Sequence, residues 1–320
     1  MHITFFGAAH MVTGSCFMVE SGAKRLLIDC GLPQGNDEKE CGTDLAFDAS
    51  AIDYLVVTHA HIDHTGRIPL LVKEGFTGKI LATSATIELC HIMLADSGHI
   101  QEMEAEWKDR KSRRAGKGAV EPLYTVEDAQ KAMLYFEACA YEERCTLDEH
   151  FTIRFKDAGH LLGSASVELW VKEGNEERKL VFSGDIGNFD QPLIKDPEYI
   201  DRADFVVMES TYGNRVHKLP PHAVGSNVPT KIRAAELAQI IERTFARGGN
   251  VIVPAFAVGR TQEILYLLRV IIEEGLCPSA KDIPVFVDSP LSVKATRVFA
   301  GNLFGYMDDE TMELVNRGIN

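Results

Sequence analysis

The 320-residue sequence lacks any run approaching the roughly 18 consecutive apolar residues of a membrane span. Met1 leads directly into a strand-like HITFFG, without the basic and apolar regions of a secretion signal, so the expected location is the cytoplasm. No CxxC pair occurs among its seven cysteines, Cys16, Cys30, Cys41, Cys90, Cys139, Cys145 and Cys277. An odd, scattered set fits reduced thiols better than a disulfide framework or a Cys-type zinc ribbon. Internal repeats and low-complexity tracts are absent. Positive charge is scarce, 33 Lys and Arg against 47 Asp and Glu, a formal net charge of −14. That balance argues against non-specific nucleic-acid binding, which depends on phosphate neutralisation. The local exception is WKDRKSRRAGKG, Trp107 to Gly118, where six Lys/Arg accompany one Asp; it reads as a solvated helix end or as part of an RNA path. Trp107 and Trp170, the two tryptophans, stand too far apart in sequence to form a base-stacking platform.

What is present is ordinary globular material, 45% hydrophobic and 25% charged, long enough for about two domains. Short apolar runs ending in a polar residue recur. RLLIDCG stops at Asp29, DYLVVTHAH at His59, KLVFSGD at Asp185 and DFVVMES at Glu209; NVIVPAF and IPVFVDS repeat the pattern. Such runs read as buried strands. Helical patterns lie between them: Ser84 to about Arg114, Val126 to Cys139 behind a Thr125/Asp128 capping box, Lys231 to Arg247, Thr261 to Glu274, and a last one after Asp308. Strands alternating with helices predict an α/β fold, with functional groups at the carboxyl ends of strands.

The strongest chemical signal is THAHIDHTG, which packs His59, His61, Asp63 and His64 into six residues directly after a strand. Residues two apart at a strand end point the same way, so His59 and His61 can share one ion; Asp63 and His64 can face a neighbouring one. Imidazole and carboxylate suit zinc. The competing reading, with Asp63 as a helix cap and three histidines as packing, leaves imidazoles without partners in a core. His160 of DAGHLLGSAS is a further candidate for the first ion, and Asp185 could bridge two ions. Asp29 reads as a support that hydrogen-bonds a ligand or pins the loop. His10, His91 and His99 read as packing or surface residues, and Cys30 as a buried thiol.

These residues resemble the metallo-β-lactamase superfamily, whose HxHxDH signature stands here as His59, His61, Asp63 and His64, followed by His160 and Asp185. GAAHMVTGSC, HTGRIPLL, GHLLGSAS, SGDIGN, ESTYGNR, PAFAVGRTQEIL and DSPLSVKAT are similar to its β-CASP branch of RNA- and DNA-processing nucleases. The resemblance covers essentially the whole chain and is nearest to bacterial and archaeal relatives of the mRNA 3′-end processing endonuclease. It implies an αββα sandwich over 1–208 with an inserted α/β β-CASP domain, here incomplete, over 209–320. It further implies that His59, His61, His160 and Asp185 hold one zinc, while Asp63, His64 and Asp185 hold a second with a later histidine. Asp63, Asp185 and Glu209 would carry the catalysis, Glu209 by orienting a histidine that protonates the leaving oxygen. After His160 only His217 and His222 remain, in a proline-rich stretch without a matching context. The expectation is therefore a chain ending inside the β-CASP domain, its second zinc short of one ligand.

Arg260 and Thr261, opening a helix after NVIVPAF, and Ser289, before another, are candidates for phosphate contacts or simple caps. The implied activity is zinc-dependent hydrolysis of single-stranded RNA, by internal cuts or 5′ trimming. The implied partners are single-stranded RNA, no membrane and, optionally, a second copy of the chain. Two alternatives remain at this level: a hydrolase of the same fold acting on a thioester or lactone, and an inactive RNA-binding fragment or subunit.

Overall fold

A computed structural model describes residues 1–114, 119–216, 229–278, 284–301 and 304–316. The chain divides into two compact units. The first comprises Met1–Ala158, Gly163–Asp185 and Tyr199–Thr211; the second comprises Gly159–Leu162, Ile186–Glu198 and Tyr212–Asn320.

The first unit is built on two sheets. One runs in the order β1 (His2–Gly7), β2 (Cys16–Ser21), β3 (Lys24–Ile28), β4 (Tyr54–Val56), β5 (Lys79–Ala82) and β6 (Phe136–Ala138). Strands β1 to β3 pair antiparallel, β1 and β2 through a loop over residues 8–15 and β2 and β3 through a tight turn, whereas β3 to β6 are parallel. Parallel pairing requires crossovers. After α1 (Asn36–Cys41), these are supplied by α2 (Ile62–Thr65) with α3 (Ile68–Lys73), and by α4 (Ser84–Arg114) with α5 (Val126–Ala132). The second sheet runs β11 (Phe205–Val207), β10 (Glu176–Phe182), β9 (Ala165–Glu173), β8 (Phe151–Asp157) and β7 (Cys145–Thr146), antiparallel except for β11 on β10.

Alternation explains why the sheets stack. Along β8 the sequence FTIRFKD buries Phe151, Ile153 and Phe155 and turns Thr152, Arg154 and Lys156 outward. These join Val167, Leu169, Val171, Leu180 and Phe182 against Val19, Leu26, Ile28, Val56 and Leu81 of the first sheet. Leu27, Leu55 and Ile80, on the other face of the first sheet, are equally buried, so that sheet is covered on both sides. This accounts for the near-continuous apolar character of its parallel strands.

Two expectations need correction here. The helical pattern read from Val126 to Cys139 ends at Ala132; a 3₁₀ turn, Met133–Tyr135, then feeds the edge strand β6. The Thr125/Asp128 capping box is present. Reading all seven cysteines as thiols is also wrong at one pair: Cys139 and Cys145 are disulfide-bonded, with Cα atoms 6.8 Å apart. The cause is topological, because the chain leaves β6 at Cys139 and folds straight back into β7 at Cys145.

The second unit holds α6 (Thr230–Phe245), α7 (Arg260–Glu273), α8 (Pro290–Gly301) and α9 (Asp309–Asn316). Ala234, Ala238 and Ile241 of α6 pack on Tyr266, Val270 and Ile271 of α7, joined by Cys277. The small alanines let the two helices approach closely. NVIVPAF and IPVFVDS, expected as buried strands, form none among the described residues, and Ile252, Phe256 and Phe286 are exposed. A strand needs a neighbour for its ladder, and among the described residues none pairs with these segments.

Candidate metal centre

The carboxyl ends of β3, β4 and β10 place Asp29, His59 and Asp185 one residue, three residues and three residues beyond their strands. The chain then has to turn sharply. Gly31 sits so close to the following loop that a Cβ on it would lie 1.6 Å from the Asp63 carbonyl oxygen. Only glycine fits there. Hydrogen bonds lock this contact: Ser15 N–H donates to Asp63 O at 2.8 Å, Cys30 N–H to His64 O at 2.9 Å and Leu32 N–H to Ile62 O at 2.9 Å. Gly184, at φ 57°, makes the corresponding turn beside Thr58 before Asp185.

Asp29 organises the cluster. It is buried, adopts φ 57°, and accepts hydrogen bonds from Thr58 N–H at 2.8 Å, Thr58 Oγ1 at 2.9 Å and Ser15 Oγ at 3.2 Å. His64 Nδ1 lies 2.7 Å from the same carboxylate. A carboxylate on Nδ1 keeps that nitrogen protonated and presents Nε2 outward. His64 Nε2 indeed faces Asp185 at 3.2 Å and Asp63 at 3.9 Å. His59 is held likewise, its Nδ1 3.1 Å from Thr58 Oγ1 and its Nε2 3.0 Å from His61 Nδ1 and 3.7 Å from an Asp185 oxygen.

Thr58, Ser15 and Ser183 were not singled out in the sequence, yet Thr58 and Ser15 hold the Asp29 carboxylate and Ser183 holds the backbone of Glu209. Ser183 Oγ accepts from Glu209 N–H at 3.0 Å, and Thr211 Oγ1 donates to Glu209 at 2.9 Å. The signal that could have found Thr58 is its position immediately before His59. Glu209, Asp185, His64 and Asp29 all line one cavity of about 370 Å³, to which the loop from Ala8 to Val12 also contributes. His10, read as a packing or surface residue, is exposed and lies in that loop.

The electrostatics fit a cation. For Asp63 burial is the largest influence and pushes the carboxyl up; His64 opposes it, and the charge of Asp185 adds to the rise. For His64 burial pulls the imidazole down, but the Asp29 and Asp185 carboxylates outweigh it and hold it well above its ordinary value. Carboxylates crowded at a shared point favour a positive ion between them. The ligand atoms of His59, His61 and Asp185 all lie within 4.8 Å of one another. Zinc–nitrogen bonds of about 2.0–2.1 Å in a tetrahedron separate two ligands by roughly 3.4 Å, so these donors are spaced for one ion.

The remaining candidates lie in the second unit. His160 belongs to its Gly159–Leu162 segment, between β8 and β9. Arg260 pairs with Glu263, Thr261 Oγ1 donates to Phe256 O at 2.7 Å, and Ser289 Oγ accepts from Ser292 N–H at 3.1 Å as a helix cap. His217 and His222 fall outside the described residues.

Residues 11–125 match the family model of the metallo-β-lactamase superfamily. The chain is 35% identical over 320 residues to ribonuclease TTHA0252 of Thermus thermophilus. It is 30% identical over 319 residues to an RNase J-like protein of Methanocaldococcus jannaschii, and 30% identical over 320 residues to transcription termination factor FttA of Methanosarcina mazei. The alignments cover 100%, 99% and 98% of this chain. The chain thus carries a metallo-β-lactamase domain, and relatives named as a ribonuclease, an RNase J-like protein and FttA indicate the β-CASP branch of that superfamily. It spans 65% of the length of the first two relatives and 46% of the third. Within this metallo-β-lactamase frame His59, His61 and Asp185 belong to a His/Asp group that could hold a metal ion, and among the described residues no helix is long and apolar enough to cross a membrane.

Proposed function

We propose that this chain is a zinc-dependent ribonuclease that hydrolyses phosphodiester bonds of single-stranded RNA, by internal cuts or 5′ trimming. The observation that supports this best is the convergence of His59, His61, His64, Asp63 and Asp185 beside a cavity that also presents Glu209. The proposed ligands of a first zinc are His59, His61, His160 and Asp185; Asp63, His64 and Asp185 would hold a second. The proposed domains are a metallo-β-lactamase-like one over 1–208 and a β-CASP portion over 209–320.

When bound, zinc supplies Lewis acidity that makes water a nucleophile near neutral pH and offsets phosphate charge. The chain's own residues do the rest. Asp29 fixes the tautomer of His64, so that Nε2 is the atom offered to the centre. Thr58 orients both Asp29 and His59. Glu209, tethered by Ser183 and Thr211 at the cavity wall, would orient a proton donor for the leaving oxygen.

The test is cleavage of single-stranded RNA, labelled at the 5′ end or internally, by zinc-loaded protein. Cleavage that disappears with chelator and in His61→Ala supports the reading, and the label separates internal cuts from 5′ trimming. Protein that holds two zinc ions and leaves RNA intact would overturn it.

A further inference from the structure

The far end of α4 offers a surface that the metal centre does not explain. Trp107 is 60% exposed there, an unusual state for the largest side chain in a chain with only two tryptophans. Met103 and Ile100, one and two turns earlier on the same face, are 57% and 50% exposed. The charge changes sign at Trp107. Glu102, Glu104 and Glu106 precede it, and Lys108, Arg110 and Lys111 follow with one acid, Asp109, among them. Lys108 is engaged by Glu104 at 3.0 Å, whereas Lys111 places its ammonium 5.4 Å from the Trp107 ring centroid. Arg110 and Lys111 share the face of Trp107, three and four residues on, and both are exposed.

An exposed indole with two cations one turn away is the pairing that single-stranded nucleic acid uses, a base on the ring and its phosphates on the cations. It stands out because the chain as a whole carries −14. We propose that the Met103–Lys111 face of α4 is an accessory RNA-binding site, with Trp107 stacking a base and Arg110 and Lys111 holding the adjacent phosphates. This rests on the ribonuclease reading and extends it. Ser84, the first residue of α4, follows β5, and Trp107 lies 23 residues further on. At 1.5 Å per residue the two are about 35 Å apart along the helix. The site therefore acts on long RNA and is out of reach of a fragment only a few nucleotides long.

Trp107 reports on its own occupancy. Titrating the full chain, with chelator present to prevent cleavage, with a single-stranded RNA of about 20 nucleotides should quench tryptophan fluorescence. The quench should vanish in Trp107→Phe if Trp107 is the residue contacted, since Trp170 remains as the internal control. Trp107→Ala should weaken binding about 5- to 150-fold, the cost of one stacked base. Lys111→Glu should weaken binding and flatten its salt dependence. In zinc-loaded protein, Trp107→Ala should raise KM for the long RNA, leave kcat unchanged and leave a tetranucleotide unaffected. Wild-type protein that cleaves RNA with no change in Trp107 emission, and with Trp107→Ala equal to wild type, would overturn the accessory site while the ribonuclease reading stands. Equal quenching by polyglutamate would also overturn it, in favour of an acidic protein partner. A wild type that neither binds nor cleaves RNA would overturn both.

Discussion

The two units treat the same kind of sequence differently. In the first, apolar runs that end in Asp or His become strands, and their polar stops converge on one point. In the second, NVIVPAF and IPVFVDS have the same form but form no strand among the described residues, and Ile252, Phe256 and Phe286 stand 85% or more exposed. The difference lies in what surrounds each run. Strands β3 to β6 have neighbours on the ladder and a second sheet against Leu26, Ile28, Val56 and Leu81. The core of the second unit is instead a helix pair centred on Ala234, Ala238, Tyr266 and Ile271. An apolar run states a preference; a paired ladder and a facing layer turn it into a strand.

The comparison implies that perturbations of the first unit are costly and those of the exposed segments cheap. The largest effect should come from zinc. Burial and the charge of Asp185 push the Asp63 carboxyl up, while for His64 burial pulls the imidazole down and the Asp29 and Asp185 carboxylates outweigh it. At a free concentration a thousand times its Kd, an ion bound only by the folded state adds about 4 kcal/mol. Stripping the proposed zinc should lower the unfolding free energy by that amount, and protection from amide exchange should fall in β3, β4 and α2 while α6 and α7 keep theirs. Equal loss in both units would break the comparison.

Next is Glu168 on β9, buried and paired with Arg154 and Lys179, beside Trp170 under the Arg144 guanidinium at 4.3 Å. Burial is the largest influence on its carboxyl and pushes it up, but hydrogen bonds and charge from Arg154 and Lys179 together hold it below the usual range. Because the folded value is depressed, its contribution is complete above the ordinary glutamate value near 4.3 and is lost as pH falls through the folded value. Glu168→Ala removes the buried carboxylate from Lys179 and leaves Arg154 with Glu142 at 3.6 Å, and should cost about 3 kcal/mol at pH 7, less at pH 3, measured by urea denaturation. A cost that does not shrink in acid would show that packing against Trp170, not charge, is what Glu168 supplies.

The Cys139–Cys145 disulfide ties the edge strand of one sheet to that of the other, β6 to β7. Its loop is short, so opening it by Cys145→Ser should cost about 2 kcal/mol on chain-entropy grounds. A thermal melt of the variant against wild type, with and without reductant, checks this: reductant should move the wild type toward the variant and leave the variant unchanged.

The metal centre was legible in the sequence because its chemistry is local. His59, His61, Asp63 and His64 lie in six residues, and Asp29 and Asp185 announce themselves as polar stops after strands. What supports them was not legible, because the bond from His64 to Asp29 spans 35 residues and the threonine and serines that orient it carry no pattern of their own. The disulfide was hidden for a different reason. Cys139 fell inside a stretch whose apolar spacing read as helix, and a helix would have kept the two sulfurs apart; β6 brings them together. Misreading one element therefore concealed a covalent bond.

The smallest expected effect is also the sharpest test of the comparison. A large apolar side chain buried in a core costs about 3–5 kcal/mol when truncated, whereas a surface change away from special features stays within about 0.5 kcal/mol. Phe286 is 85% exposed and Phe155 is fully buried in the stacked sheets. Phe286→Ser and Ile252→Thr should therefore leave the unfolding free energy from urea denaturation within about 0.5 kcal/mol of wild type, and Phe155→Ala should cost about 3–5 kcal/mol. If Phe286→Ser instead costs 2 kcal/mol or more, its ring is covered in solution, the run around it is packed as the sequence pattern predicts, and the contrast between the units disappears. A midpoint that stays put while solubility rises gives the opposite answer: the side chain stands in water and contributes only to association.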